Sequence, residues 1–579
     1  MDEPLKKKFK IEENDIGHEL EVLQEHLLRN CLCSLDENVI QKLFWRFNSG
    51  DVLWSDLTNN WSTEQILMLI TCVQLICEKT MKQSATGFIC SRIADVHNAL
   101  THKENNIIDY FIELADDSDM FVSFAASRAL TSFFLAVKSR LDQRWLDKLT
   151  ENIEDTSQPL KVSFSLDVLK RIIEWKDFDE HVLEDNISTE NAILSNCHTL
   201  SIRSEHFDST QVKCLCIKSL ESKWVYIVNR FESLIKSNAT VYESTIITFL
   251  NLWEAMISVK ANLSIIDTKP FYSNLNRYVP LLSNNTSAIV WKHILNLFNE
   301  VLCYGSTLAL QHDMANEPCS LAHLIVRTVK DRRLLHVVPY INGSGGFGGG
   351  NLEGDRVLLK KLVLLILKAI AVTVKEAKYD SSSDSSVGSE MDDEDADMAV
   401  ISRSIRDVLK RVDNFIKQHV HFHPETSPAK WIVQLFTDQD DYLVESMICC
   451  LDVARVLCYR NNYLPDLRKD LNPSETFLQF LHTVSFDWDV LLDFLVSNET
   501  CFLLYILNFL KYVRDHWDEF LDTCDRKIDR VMISLAKLRE SVEKLVSKDL
   551  FPYNINPILS LLIECHKKYG AYSGTLILR

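Results

Sequence analysis

Residues 438–451 read DQDDYLVESMICCL, and residues 117–130 read DSDMFVSFAASRAL. At one offset Asp438 falls on Asp117, Asp440 on Asp119, Tyr442 on Phe121, Leu443 on Val122 and Leu451 on Leu130. Each copy sets acidic residues before an apolar run, and in the first Phe121, Ala125, Ala129 and Phe133 recur every four residues. Carboxylates at a helix N-terminus oppose its dipole, and a helix apolar on most of its circumference must be buried between neighbours. Ala125 and Ala126 are small enough to admit a second helix at close range. A polar corner followed by a buried helix, written twice, predicts helices that stack as repeats.

Working outward, the same pattern recurs more loosely. At Ser62 the run STEQ spells a Ser-x-x-Gln capping box ahead of Ile66, Leu67, Leu69, Ile70, Val73 and Ile76. Further copies start at Ser157, Ser283 and Ser497. The last two share a Ser-Asn-x-Thr opening and an Ile-Leu-Asn core, which sets Asn296 against Asn508. The fold expected is all-α, a HEAT/armadillo-like helical solenoid with a disordered acidic loop. Its period is irregular beside the ~40 to 47 residues usual for such repeats.

Composition agrees. In 579 residues there are 14 Gly and 12 Pro, far below the roughly 12 per cent usual for the two together, which disfavours turn-rich β sandwiches and collagen-like rods. Hydrophobic residues make up 46%, enough for an extended core. The formal charge of −19 repels phosphate backbones and anionic lipid, so neither direct nucleic-acid binding nor membrane binding is expected. No apolar segment near the start has the form of a secretory signal. The stretch Val357 to Val374 is interrupted by Lys360, Lys361 and Lys368, whereas a membrane span wants about 20 mostly apolar residues.

The expected organisation is a tail over 1–16, a first helical array over 17–341, a Gly-rich loop over 342–354 and a long helix over 355–378. A disordered Ser/acidic linker over 379–398, a second array over 399–548 and a C-terminal cap block over 549–579 follow. The tail carries Lys6, Lys7, Lys8 and Lys10, either a solvated basic end or a nuclear-localisation signal. In the linker, Ser381 and Ser389 each have Asp three residues on. That spacing suits acidophilic kinases and equally a solubilising linker.

No motif brings chemistry with it. Gly343, Gly345 and Gly348 satisfy G-x-G-x-x-G but lack the following strand and acidic residue that a dinucleotide site needs. His419, His421 and His423 alternate before Pro424, read as a loop after a helix end or an adventitious metal site. There is no C-x-x-C and no G-x-S-x-G. The 16 cysteines are expected reduced and mostly within apolar helices, as small hydrophobes. No catalytic, cofactor or metal residue is therefore assigned.

Three blocks of the C-terminal third resemble the Lines family of developmental regulators: Ser485 to Leu510 with Trp517 and Asp518 after it, the FTDQDD corner from Phe436 to Asp441, and LFPYNINPILSLL from Leu550 to Leu562. Within them Asp438, Asp440, Leu491, Asp493, Phe494, Glu499, Thr500, Cys501, Phe502, Trp517, Phe551, Pro552, Tyr553 and Asn554 are expected to be structural. The resemblance implies a non-enzymatic, protein-binding regulator of Wnt-type signalling, present in cytoplasm and nucleus, acting on transcription regulators. For the fly branch it implies odd-skipped-type zinc-finger partners, and it supplies no catalytic or cofactor residue. The alternative is a HEAT-type nuclear transport or assembly adaptor. The chain departs from the vertebrate-like form, which has a long polar insertion where only the charged stretch Lys527 to Lys548 stands here. Pro552 and Pro557 force a turn before the last helix, so LFPYNINP is expected to close the end of the array with Phe551 buried.

Overall fold

The computed structural model describes residues 13–45, 53–102, 105–138, 141–155, 157–177, 197–202, 208–258, 263–303, 316–331, 333–339, 355–383, 391–420, 422–459 and 465–577. It forms two compact units, 1–274 and 275–579. Both are stacks of helices, an all-α helical-repeat fold. The Gly-rich loop and the Ser/acidic linker, at which the expected arrays were parted, both fall inside the second unit.

In the first unit the helices of seven or more residues are α1 (Glu13–Leu28), α2 (Glu37–Leu43), α3 (Thr63–Ala85), α4 (Ser91–Leu100), α5 (Ile107–Glu113), α6 (Met120–Val137), α7 (Gln143–Glu154), α8 (Pro159–Glu174), α9 (Thr210–Glu221), α10 (Trp224–Ser237) and α11 (Glu243–Ile257). A stack runs α1, α3, α6, α8, α11, each helix packed on the next, and α5, α7, α9 and α10 flank it. Caps start these helices where the sequence puts them. Ser62 Oγ accepts from the Gln65 amide and Gln65 Oε1 from the Ser62 amide, at 3.3 and 2.9 Å, while Asp119 accepts from the Phe121 amide at 2.9 Å. Two short strands, β1 (Phe88–Cys90) and β2 (Thr199–Ser201), pair antiparallel with Cys90 opposite Thr199.

The repeat alignment survives in part. Val122 and Leu130 are buried, as are Leu443 and Leu451. Phe121 departs from it: the side chain is 75% exposed, and Phe124 beside it 50%, because the four-residue stripe runs past the part of α6 that its neighbours cover. By length and apolar character α6 alone among the described residues resembles a membrane-crossing helix, yet it lies between α3 and α8 and is mostly buried.

The second unit contains α12 (Ala288–Val301), α13 (Asn316–Lys330), α14 (Arg356–Ser383), α15 (Met391–His419), α16 (Pro428–Phe436), α17 (Asp440–Tyr459), α18 (Pro473–Thr483), α19 (Trp488–Val496), α20 (Phe502–Asp515), α21 (Trp517–Cys524), α22 (Ile528–Ser547) and α23 (Asn556–Ile577). Its stack runs α12, α14, α17, α20, α23, with α13, α15, α16, α18, α21 and α22 on the flank.

The linker expectation needs correction. Helix α14 runs on to Ser383 and α15 begins at Met391, so both ends of the 379–398 segment are helical. Helix growth is cooperative, and a packed helix extends its backbone bonds beyond the residues that contribute burial. Ser381 lies in the last turn of α14, while Ser389 is outside the described residues. So are Lys6, Lys7, Lys8 and Lys10, the glycine loop with Gly343, Gly345 and Gly348, and His421. His419 and His423 bond locally, to the Phe415 carbonyl and the Glu425 amide, which fits the loop reading.

Candidate protein-binding faces of the helix stacks

Three stack helices of the second unit run parallel, as equivalent helices of successive repeats do, and polar side chains join them rung by rung. Lys292 on α12 pairs with Asp355 just ahead of α14 at 2.5 Å. One turn further on, Lys361 of α14 donates to Asn296 of α12 and to the Tyr442 hydroxyl of α17, at 3.1 Å for the latter. Between α14 and α17 the pairs are Lys360 with Asp438, Lys368 with Glu445 at 2.8 Å and Lys375 with Asp452 at 2.5 Å. Lys368 and Lys375 are seven apart, as are Glu445 and Asp452, so these two pairs lie along one face of each helix, while Lys360 meets Asp438 just ahead of α17.

The rungs differ in depth. Lys368 is 2% exposed, and it also donates to the Asn299 carbonyl at 3.0 Å. Glu445 accepts a second bond from the Cys303 thiol. Asp438 is largely exposed, and Lys360 bonding to it holds its carboxyl below the usual range. Asn508 on α20 accepts from Arg455 of α17 at 3.3 Å. Asn296 and Asn508, matched in the sequence, thus each bond a cation of an adjacent stack helix.

On the first unit, Ser127 and Arg171 both donate to Asp167, at 2.9 and 2.7 Å. The Arg171 guanidinium stands 4.9 Å over the Phe124 ring, which explains how that exposed ring is held. A cleft beside it is lined by Gln74, Glu78, Arg128, Arg171 and Trp175.

The residues expected to be structural by resemblance take varied places. Leu491 and Phe502 are fully buried. Phe494 packs on Phe502 and Phe480, with centroids 5.2 and 5.7 Å away, and Trp517 reaches Phe520 at 5.8 Å. Asp493 and Glu499 are exposed, Thr500 and Cys501 half-buried, and Asp440 is the first residue of α17. In the last block Pro552 and Asn554 are exposed. Phe551 is only half-buried, edge-on to Tyr553 at 5.2 Å. This corrects the expectation of a buried Phe551: Ile555, 2% exposed, is the side chain that plugs the core ahead of α23. The turn itself stands as expected, with α22 ending at Ser547 and α23 starting at Asn556.

Cysteine chemistry also divides. Burial pushes the thiols of Cys72, Cys216, Cys450 and Cys524 up to about 12, so these are core atoms and not nucleophiles. Cys31, Cys33, Cys90 and Cys197, in contrast, meet with their sulfurs all within 4.8 Å of one another. Sequence reading missed this group, since its members come from three distant segments and form no C-x-x-C.

Stacked capped helices joined rung by rung through charged pairs, each with a buried partner, define a helical-repeat protein. The chain belongs to the Lines family: the Lines N-terminus profile matches residues 198–524 and the Lines C-terminus profile residues 531–567. It is 37% identical to Protein lines of Drosophila melanogaster, over 94% of this chain and 79% of that one. To Protein Lines homolog 1 of Homo sapiens it is 24% identical, over 80% of this chain and 61% of the human protein. Among solved structures, an engineered protein aligns with TM-score 0.31 at 11% identity, covering 91% of this chain and 98% of its own. A SYS-1/POP-1 complex aligns with TM-score 0.25 at 11% identity, covering 96% and 86%. Alignments this loose add nothing to the fold seen in the chain's own helices.

Proposed function

We propose that this chain is a non-enzymatic scaffold that binds extended protein segments along the stack face of its second unit, and through them regulates Wnt-type developmental signalling. The observation carrying this reading is the pair Asn296 and Asn508, amides matched in the sequence and carried on two stack helices, each beside a cation from an adjacent helix. Side-chain amides carry both a donor and an acceptor and suit the backbone of an extended segment. Family resemblance adds the partner class, transcription regulators of the odd-skipped zinc-finger type. It adds residence in cytoplasm and nucleus, for which the basic run with Lys6, Lys7, Lys8 and Lys10 would be the import signal, and the spacing of Ser381 and Ser389 ahead of Asp makes them phosphorylation sites.

The test is capture of an odd-skipped-type zinc-finger protein by the full chain and by an Arg455→Glu, Asn508→Ala variant. Arg455 is exposed and Asn508 half-buried, so unfolding midpoints should stay close while the variant loses capture about tenfold or more, some 1.4 kcal/mol. Equal capture by both would remove the face from the reading. Proximity labelling that returns a small GTPase and nuclear-pore repeats in place of transcription regulators would favour the transport-adaptor alternative.

A further inference from the structure

The small sheet is out of place in this fold. Two strands of three residues each are below the size at which a hairpin holds in water. Burial does not rescue β2, where all three residues are exposed and Leu200 is 47% so. Its described bonds beyond the strand pair run from the Ser91 amide to the His198 carbonyl and from the Ile202 amide to the Gly87 carbonyl, at 2.9 and 3.0 Å. Among the described residues, backbone bonds and not apolar packing hold β2, and Cys197 stands one residue before His198.

What stands there is sulfur. Cys33 Sγ lies 3.6 Å from Cys90 Sγ and 3.5 Å from Cys197 Sγ, across 57 and 164 residues of chain. Cys31 completes the group within the same 4.8 Å. Four sulfurs each about 2.3 Å from one zinc ion in a tetrahedron are about 3.8 Å apart. A disulfide would bring two of them to about 2.05 Å and leave the others over. A multi-iron cluster interposes bridging sulfides and spreads its cysteines further.

The backbone around the sulfurs is fixed. Asn30 adopts a left-handed φ of 63°, which turns the chain after α1 so that Cys31 and Cys33 face the same point. The Cys33 amide lies 3.3 Å from Cys31 Sγ as a donor. Gln83, 6% exposed on α3, donates to the Asn30 carbonyl at 2.8 Å and accepts from the Cys90 amide at 2.9 Å. One side chain therefore clamps two of the three cysteine-bearing segments, the outer support that ligand sets need.

We infer that Cys31, Cys33, Cys90 and Cys197 bind a single zinc ion that ties the turn after α1 to the two-stranded sheet. Four protein ligands leave no position for water or substrate, so the site is structural. Loading releases the thiol protons to solvent as the sulfurs become thiolates.

Elemental analysis of the purified full-length chain tests this, with thiol counting by alkylation and mass spectrometry. One zinc per chain is expected. Cys33→Ser and Cys197→Ser should lose it and Cys214→Ser should keep it. Gln83→Met should release zinc to a chelator at about 10 to 100-fold lower chelator concentration. Cobalt in place of zinc should give the colour of tetrahedral thiolate coordination. If the serine variants fail to fold, the metal content of the unaltered chain decides. A metal-free chain with four alkylatable thiols, a disulfide between any two of the cysteines, or bound iron would each overturn the assignment.

Discussion

Lys368 Nζ stands 2.8 Å from Glu445 Oε2, on parallel helices, with 2% of the lysine and little of the glutamate exposed. Burial by itself would lower the ammonium's pKa. Glu445 and its hydrogen bond outweigh it and hold Lys368 above its ordinary value. Lys368 is thus charged at neutral pH inside the stack.

Removing one partner leaves the other buried and uncompensated. Lys368→Met should cost about 3 to 5 kcal/mol in chemical denaturation, and a Lys368→Met, Glu445→Met double variant should recover most of it. A single variant as stable as the wild type would show that water reaches the pair. Because the folded-state pKa is raised, the pair's contribution is complete below the unfolded lysine value of about 10.4 and is lost as pH climbs through the folded one. The stability difference between wild type and double variant should therefore be flat from neutral pH to about pH 10 and shift against the wild type above it.

At the C-terminal end, Ile555→Ala should cost more than Phe551→Ala, although phenylalanine is the larger side chain. Ile555 is buried and falls in the range of about 2 to 5 kcal/mol for aliphatic truncation. Half-buried Phe551 should lose no more than about 1 to 2 kcal/mol. Denaturant midpoints measured side by side decide, and the reverse order would restore Phe551 as the plug.

Replacing Lys6, Lys7, Lys8 and Lys10 with Ala should move a fluorescent fusion of the full chain toward the cytoplasm. The cluster has the composition that import receptors read. An unchanged nuclear fraction would leave the tail as a solvated end.

How far the sequence could be read follows the range of the interactions. The Ser62 to Gln65 box, the Pro557 start of α23 and the long helix from Arg356 were legible because their causes are local: a cap, a missing amide hydrogen, a run of aliphatic residues. Phe121 misled because a stripe of apolar residues does not say where the neighbouring helix stops covering it. Lys360, Lys361 and Lys368 were noticed only as interruptions to an apolar run, yet their partners stand on α12 and α17. The cysteine quartet was the least legible. Only Cys31 and Cys33 are near one another in the sequence, and the folded turn at Asn30 and the strand at Cys90 bring the four to one point.

The matched order of the charged pairs between α14 and α17 has a mechanical meaning. Sliding one helix along the other by a turn, about 5.4 Å, would break all three pairs together and take buried Lys368 away from Glu445. Neighbouring helices are keyed like the teeth of a rack and resist shear. A segment lying across α12, α14, α17 and α20 would then meet contacts at fixed intervals set before it arrives, and the loss of freedom on association would fall on the segment and not on the stack.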